Sequence, residues 1–244
     1  MDGNLLKQLK NILFIDIETV SQEPDLETVD EHLKKLWLRK ASHLHNNDNL
    51  PDEDFYLKRA GIYAEFGKII CIGIGGIFFD EEQKPTLRVK MINGADEKEI
   101  LEAFKGIVEK HKSGNNLMLC AHNGKEFDFA YICRRMLVNG ISLPKVLQFS
   151  GKKPWEINHL DTMDMWKFGD YKHYTSLDLL ASIFDIPFDN SEISGDQVNE
   201  VYYKEKDKKK IKQYCADNVV VVTQLYMKMN NLPLIEDNNI EVIL

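Results

Sequence analysis

Apolar and polar positions along the chain alternate between strand-like and helix-like periods. Residues 12–16 form an apolar run that predicts a strand, and residues 66–79 and 86–92 predict two more, joined by a turn near residues 80–84. These three segments are typical of an antiparallel meander. A short apolar run at residues 117–121 follows a predicted helix, so we expect it to lie parallel to the first strand.

Apolar residues at three-to-four-residue spacing predict the helices. This pattern occurs in residues 97–112, where Asp96 is the candidate N-cap, and in residues 175–184, where Thr175 or Ser176 is the candidate N-cap. A long last helix is predicted to begin in the charged run 203–212 and to continue to Met229. Two shorter segments are compatible with edge strands: residues 146–149 and 159–160.

Residues 21–66 are polar and charged and stand between the first two predicted strands. Apolar residues around Leu33 and Trp37 recur as in a helix, which indicates one or two helices plus a loop near residues 46–54. This length exceeds an ordinary connection. A packing appendage and a substrate lid both fit the pattern. We expect a single domain, residues 1–244, with a helical insertion at about 21–66.

The first predicted strand ends on two acidic residues, Asp16 and Glu18. Side chains alternate along a strand, so both carboxylates fall on the same face. Adjacent carboxylates repel each other, and Mg²⁺ or Mn²⁺ relieves this repulsion because hard cations prefer clustered oxygen ligands. A strand that merely leaves the core for solvent would carry the same residues, so both interpretations stay open for this segment alone.

Two later segments contain further candidate residues. Asp128 falls in the first turns of a helix that follows AHNGKEFD, where it either points back over the strand ends or only complements the helix dipole. On the last helix, Tyr214 and Asn218 are four residues apart and share a stripe, and Asp217 lies within one turn of both.

Composition narrows the class of protein. The chain has 244 residues, enough for a sizeable core, and its formal net charge of −8 argues against a simple basic-patch nucleic-acid binder. A nuclease fits this charge, because metal-dependent phosphodiester chemistry requires clustered acidic residues. Four separated cysteines in apolar runs indicate buried, reduced thiols. The sequence shows no apolar signal core or membrane-length run, so we expect a cytoplasmic protein that does not enter membranes.

Three motifs occur in order along the chain: FIDIETV, CAHNGKEFDFAYICRRM and YCADNVVVVTQLY. Together they resemble the DEDD superfamily of 3′–5′ exonucleases, in its tyrosine-containing subgroup. The resemblance is closest to stand-alone exonucleases related to the proofreading domain of family B DNA polymerases. EFGKIICIGIG, HLDTMDMWKFGD, YTSLDLLA and ISGDQV also look like family segments, so the resemblance covers most of the chain.

This resemblance implies a fold and an activity. The fold would be α/β and ribonuclease-H-like, with a five-stranded mixed sheet flanked by helices. The activity would be hydrolysis of phosphodiester bonds at the 3′ end of single-stranded nucleic acid, with two divalent cations, Mg²⁺ or Mn²⁺, as cofactors. Single-stranded DNA is the expected partner, and RNA stays an alternative. The chain ends at Leu244 without a polymerase segment, so proofreading in cis is not expected.

The resemblance also implies a role for each matching residue. Asp16, Glu18 and Asp128 would be catalytic metal ligands. Tyr214 would orient the attacking water, since a phenol is a poor base at neutral pH. Three further residues are candidate substrate contacts on their position alone: Thr19, Asn123 and Phe127. Asn123 lies in a turn beside a strand end, where it either contacts the terminal nucleotide or only shapes the turn with Gly124, and Phe127 also fits a place in the core.

Position 218 departs from the family pattern. The family places a fourth carboxylate four residues after the tyrosine, whereas this chain has Asn218, whose amide oxygen carries no charge. Asn218 is assigned to the fourth catalytic and metal position because the valine-rich run after it keeps the family register. Asp217 is rotated from it by about 100° on a helix. Three explanations stay open: an engineered inactivating change, a naturally weak enzyme or inactive nucleic-acid-binding domain, and compensation by Asp217.

Overall fold

The computed structural model describes residues 8–44, 49–170, 174–187 and 193–244. Within these ranges, six strands form one mixed sheet: β1 (Ile12–Ser21), β2 (Gly67–Phe79), β3 (Pro85–Ile92), β4 (Met118–Ala121), β5 (Leu160–Asp161) and β6 (Ile240–Ile243). They lie in the order β5-β4-β1-β2-β3-β6. The first three strands are antiparallel and β4 is parallel to β1, as predicted. The α/β class, with a mixed sheet between helices, is confirmed.

The sheet has one strand more than the five expected. The additional strand, β6, pairs in parallel with β3, with Leu87 opposite Ile240. β6 has only four residues, and a pattern this short predicts neither the strand it pairs with nor its register. Of the two predicted edge strands, residues 159–160 overlap β5, whereas the prediction for residues 146–149 is wrong. A 3₁₀ turn, Lys145–Leu147, occupies that position.

Helices cover both faces of the sheet. In the described ranges they are α1 (Glu31–Ala41), α2 (Asp52–Arg59), α3 (Glu97–Lys110), α4 (Asp128–Val138), α5 (Thr162–Lys167), α6 (Leu177–Ile183), α7 (Val198–Glu200) and α8 (Lys208–Met229). A π-helical turn, Val201–Glu205, follows α7 directly. None of these helices combines the length and the apolar character that crossing a membrane requires.

The last helix begins inside the charged run at residues 203–212 and ends at Met229, as predicted. Lys206 adopts a left-handed backbone conformation (φ 59°), which interrupts the helical hydrogen bonds after the π-helical turn. Asp207 then caps α8 by accepting a hydrogen bond from the backbone N–H of Lys210. The charged run therefore also contains a break before α8, which the sequence pattern did not predict.

β1 supplies side chains to both core layers. Ile12 and Phe14 pack in the layer that contains α8. Leu13, Ile15 and Ile17 pack in the layer that contains α3 and α4. Because alternate residues of a strand point to opposite faces, the even-numbered residues Asp16 and Glu18 belong to the α8 side.

β1 also continues past its two acidic residues, which corrects the prediction that they end the strand. Thr19 pairs with Ile69 of β2, after a register shift between Glu18 and Thr19. Thr19 and Val20 are β-branched and favour extended backbone. The two carboxylates therefore lie within the central strand, where burial is greater than at a strand end.

Residues 21–66 carry α1 and α2 and a small core around Trp37. The Trp37 ring is fully buried and meets the Phe66 ring edge-on, with the centroids 5.2 Å apart. Part of the predicted loop, residues 45–48, lies outside the described residues, and α2 begins at Asp52. The division into a single domain with a helical insertion stays a prediction.

Two glycines of β2 allow α8 to lie directly on the sheet. A Cβ atom added to Gly73 would lie 2.7 Å from Val219 Cγ2 and 3.1 Å from Cys215 Sγ. A Cβ atom added to Gly75 would lie 2.7 Å from Val219 Cγ1. Because these distances are shorter than van der Waals contact, larger residues would push α8 away from β1 and β2.

Replacing Gly73 by Val tests this close approach. We expect Gly73→Val to lower the free energy of unfolding by about 1–3 kcal/mol, since the added methyl groups overpack the interface with α8. Gly76→Val is the matched control on the same strand, because the nearest atom to an added Cβ there is 3.4 Å away, on Phe78. Urea unfolding measures both variants, and equal losses would contradict the explanation.

Candidate metal and active site

The central strand places two carboxylates beneath α8. Asp16 lies opposite Gly73 of β2, and Glu18 lies opposite Cys71. On the other side of β1, the pairing with β4 ends at Phe14. Beyond that point the edge of β1 meets the start of α4 instead of another ladder of strand hydrogen bonds.

Asp128 occupies the place that β4 leaves open beside β1. It is the first residue of α4, and its carboxylate accepts hydrogen bonds from the backbone N–H of Ile17 and from its own N–H. The side chain is 4% exposed. The structure therefore brings Asp128 to the edge of the strand that carries Asp16 and Glu18.

The turn before α4 is positioned by Asp161 on the neighbouring strand. One Asp161 oxygen accepts a hydrogen bond from the backbone N–H of Asn123 (2.9 Å), and the other accepts one from the N–H of Lys125 (3.0 Å). The same carboxylate caps α5 through the N–H of Met163 (2.9 Å). This single buried acid joins β5, α5 and the turn that leads to Asp128.

α8 completes the cluster from above. Asn218 Nδ2 donates a hydrogen bond of 3.4 Å to Asp16 Oδ2, and the Tyr214 hydroxyl is hydrogen-bonded with Asn218. Cys215 Sγ, between these two residues, lies 3.5 Å from the backbone oxygen of Asp16. Three potential metal-ligand atoms lie within 4.8 Å of one another: a carboxylate oxygen of Asp16, a carboxylate oxygen of Glu18 and the Sγ atom of Cys215.

Burial and mutual repulsion keep this cluster short of negative charge. Burial raises the pKa of Asp16, which keeps some access to solvent, to about 6. Burial raises the pKa of Glu18 and Asp128 well above the usual range, and the charge of Asp16 raises both further. A hydrogen bond between the Glu18 and Asp16 side chains lowers the pKa of Asp16 and so partly opposes the effect of burial.

The two titratable α8 side chains beside the carboxylates, Tyr214 and Cys215, stay neutral. Burial raises the pKa of the Tyr214 phenol, and the nearby Glu18 and Asp16 raise it further. Burial likewise raises the pKa of the Cys215 thiol well above its usual range. Cys215 therefore stays a neutral thiol, which can donate a hydrogen bond. A neutral thiol is a poor metal ligand, because only the thiolate binds metal effectively.

Asp217 lies apart from this cluster. Its carboxylate accepts a hydrogen bond of 2.8 Å from Gln213 Nε2, one turn earlier on α8. Asn218, by contrast, is 7% exposed and directly contacts Asp16. The side chain that faces the carboxylates is thus the amide, as the register of the motif predicted.

The three candidate substrate contacts lie beside Asp128 but have different surroundings. Thr19 is hydrogen-bonded with the Tyr131 hydroxyl, and the Phe127 ring lies 5.3 Å from the Tyr131 ring. Phe127 also packs on the α3–α4 core layer. Asn123 has a left-handed backbone (φ 61°), and its buried Oδ1 has no hydrogen-bond partner among the described residues.

Two positioning residues were not recognised from the sequence. Asp161 lies in the segment HLDTMDMWKFGD, where no spacing distinguishes it from a surface helix cap. Cys215 fits the apolar, buried face of the last helix in the sequence pattern. The only local signal that it lies near the site is its neighbour Tyr214, which belongs to the motif. Their roles depend on contacts between residues that are 36 or more positions apart, which periodicity does not show.

The donor set fits hard divalent cations. Asp16 is partly exposed, Glu18 and Asp128 are buried, and burial raises the pKa of all three carboxyl groups. The charge of Asp16 raises the pKa of Glu18 and Asp128 further. Such a cluster is costly when all members are ionised, and a bound cation offsets that cost. Oxygen-rich sites of this type suit Mg²⁺ or Mn²⁺.

A mixed sheet with helices on both faces and carboxylates on its central strand has the arrangement of a ribonuclease-H-like protein. The chain belongs to the family described as predicted 3′–5′ exonucleases related to the exonuclease domain of PolB, which matches residues 63–236. That range contains Asp128, Tyr214 and Asn218, and β1 precedes it.

A solved polymerase shares the fold of this chain. The family B DNA polymerase of the hyperthermophilic archaeon Pyrobaculum calidifontis superposes with a TM-score of 0.50 at 15% sequence identity. The match covers 90% of this chain, which spans only 24% of the polymerase chain. Among curated proteins, none matches this sequence.

Metal binding should stabilise the fold. We expect Mn²⁺ or Mg²⁺, added to protein treated with EDTA, to raise Tm, because a cation offsets the repulsion among the buried carboxylates. At a concentration about 100 times Kd the gain is about 2.7 kcal/mol. Protons compete for Asp16, whose pKa is about 6, so the gain should shrink as the pH falls through that value.

Thermal unfolding of two variants separates this site from other metal binding. Asp16→Asn should lose most of the metal-dependent rise in Tm. Asp217→Asn, the matched control, should keep it because Asp217 pairs with Gln213 instead of facing the cluster. An equal rise in all three proteins would place the metal elsewhere.

Proposed function

We propose that this chain is a metal-dependent 3′–5′ exonuclease that hydrolyses phosphodiester bonds at the 3′ end of single-stranded DNA. The supporting observation is the meeting of Asp16, Glu18 and Asp128 with Tyr214 and Asn218, although these residues come from three distant segments. Membership of the exonuclease family supports the reaction, and the acidic cluster supports its need for metal.

Asp16, Glu18 and Asp128 would hold two divalent cations, with Asn218 contributing its amide oxygen. Bound cations would supply Lewis-acid stabilisation of the attacking and leaving oxygens. The three carboxyl groups would be ionised when metal is bound, since protons and cations compete for them. Asp161 would act as a positioning residue, because it fixes the turn before Asp128.

Tyr214 would orient the attacking water through its hydroxyl. Its pKa is raised by burial and by the neighbouring carboxylates, so the phenol keeps its proton and does not act as a base. The hydrogen bond with Asn218 fixes the direction of the hydroxyl. Tyr214 can therefore hold a water molecule beside the carboxylates without taking its proton.

The substrate strand would lie along the edge formed by α4 and the turn before it. Asn123 offers a buried oxygen without a partner among the described residues, which suits a donor on the terminal nucleotide. Thr19 and Phe127 would border the same nucleotide from the Tyr131 side. Tyr174 is 68% exposed, and its pKa is raised by partial burial and then by nearby carboxylates that include Asp178 and Asp128, so its ring would be placed to stack on a base.

A nuclease assay tests this function. We expect the protein with Mn²⁺ or Mg²⁺ to shorten a single-stranded DNA oligonucleotide from its 3′ end, and Asp16→Asn to lower kcat/KM on the order of 100-fold or more. Asp237→Asn, an exposed substitution far from β1, is the control. A matched RNA oligonucleotide measures the sugar preference. Cleavage that survives Asp16→Asn would contradict the proposed site.

A binding domain without catalysis is the second candidate, and Asn218 favours it. The amide donates to Asp16 where the family pattern has a carboxylate, so the affinity for cations is reduced. Strand binding with no cleavage by the wild-type chain under any of these metal conditions would support this candidate.

Restoring the carboxylate at position 218 distinguishes the two candidates. We expect Asn218→Asp to raise the rate at least about tenfold, which corresponds to about 1.4 kcal/mol of transition-state stabilisation. Asp217→Asn is the control and should leave the rate unchanged, since Asp217 faces Gln213. An unchanged rate in Asn218→Asp, together with a loss in Asp217→Asn, would show that Asp217 already supplies the missing charge.

A further inference from the structure

A cavity of about 960 Å³ lies at the edge of β2, away from the acidic cluster. β3 pairs with β2 only as far as Ile72, so the edge of β2 from Lys68 to Cys71 has no β3 partner and lines the cavity. On this edge, the backbone N–H of Ile69 donates a hydrogen bond of 2.8 Å to Glu97 of α3. We call this space the β2-edge cavity. Its walls come from β2, the start of α3, the end of α4, the π-helical turn and the start of α8.

Four lysines line the β2-edge cavity: Lys68, Lys98, Lys208 and Lys212. In the part of the chain that the structure describes, none of them forms an ion pair. The acidic residues of the wall are largely engaged elsewhere. Glu97 pairs with Arg135 at 2.6 Å, and Asp96 caps α3. With Arg135, five basic side chains line the cavity together with three acidic ones, Glu65, Asp96 and Glu97, so its wall carries a net positive charge in a chain whose formal net charge is −8.

Lys68 is the most constrained of these lysines. It is half-buried, and its Nζ donates a hydrogen bond of 2.8 Å to the backbone oxygen of Gln22. The same Nζ lies 5.9 Å from the centre of the Tyr202 ring, and Lys208 Nζ lies 5.6 Å from that centre. Two ammonium groups therefore meet at one aromatic ring, and an anion between them would relieve their repulsion.

Apolar side chains also line the cavity. Leu33 of α1 and Val138 of α4 are among them and are 41% and 66% exposed, and Ile70 of β2 lines the cavity as well. A ligand that matches both the lysines and the apolar side chains carries a phosphate-like anion and a flat or apolar group. The volume exceeds the roughly 300 Å³ at which small-molecule pockets begin, so a nucleotide can enter.

This cavity is separate from the candidate active site. Successive helical residues are rotated by about 100°, so Lys208 and Lys212 lie on one flank of α8 and Tyr214 and Asn218 lie on the other. Both sites nevertheless share a wall, since Cys71 lines the cavity and pairs with Glu18 in the sheet.

We propose that the β2-edge cavity is a second, non-catalytic binding site for a nucleoside phosphate. The phosphate lies between Lys68 and Lys208, and the base lies against Tyr202 and the apolar side chains. The residues of the cavity alone predict a ligand with an anionic group and a flat or apolar group. The choice of a nucleotide as that ligand rests on the proposed nuclease function.

Calorimetric titration with dAMP in EDTA tests this proposal without any metal in the active site. We expect dAMP to bind about tenfold or more tightly than either deoxyadenosine or inorganic phosphate, since it contacts both the lysines and the apolar side chains. Lys68→Met and Lys208→Met should each lower the affinity for dAMP about tenfold, because each removes one charge-assisted hydrogen bond to the phosphate. Lys208 is exposed, so its variant tests the site even if Lys68→Met does not fold.

Two control variants locate the binding. Lys40→Met removes a lysine that lies over the Tyr63 ring at 4.2 Å, outside the cavity, and should leave dAMP affinity unchanged. Asp16→Asn should also leave it unchanged. Absence of dAMP binding, binding no tighter than that of phosphate, or binding insensitive to both cavity lysines would overturn the proposal. Because the titration contains no metal, its outcome is independent of whether the chain cleaves DNA.

Discussion

The direct packing of α8 on β2 is the contact on which the rest of this structure depends. Gly73 and Gly75 present no side chain, so Val219 and Cys215 lie against the sheet. This short separation lets Asn218 reach Asp16 on the next strand. It also places the two flanks of α8 over different surfaces, with the acidic cluster on one side and the β2-edge cavity on the other. A helix held one side chain further away would contact neither.

The acidic cluster follows from an unfavourable placement that the fold enforces. Asp16 and Glu18 lie within the central strand, where Asp16 is opposite Gly73 and has a helix above it. Asp128 is held in place by the backbone N–H of Ile17, which the short β4 leaves without a strand partner. Without a cation, burial and mutual repulsion raise the pKa of all three groups and so favour their protonated forms. Cation binding is thus coupled to loss of protons and to stability of the fold.

Position 218 decides how strongly the site attracts a cation. Asn218 fills the place of an acid geometrically, since it contacts Asp16 and is hydrogen-bonded with Tyr214. It does not replace the charge. An amide lowers the repulsion within the metal-free cluster and weakens the attraction for metal, so the same substitution favours a stable apo protein and disfavours catalysis.

Local periodicity and ordered motifs were sufficient to predict most strands, most helices and the candidate site residues. They predicted the meander, the parallel β4, the cap at Asp96 and the placement of Asn218 in the motif. The length of β1, the pairing of β6 and the break before α8 became visible in the three-dimensional structure. It alone showed Asp161, Cys215 and the β2-edge cavity. These features depend on contacts between distant segments, and no local pattern of apolar and polar residues records such contacts.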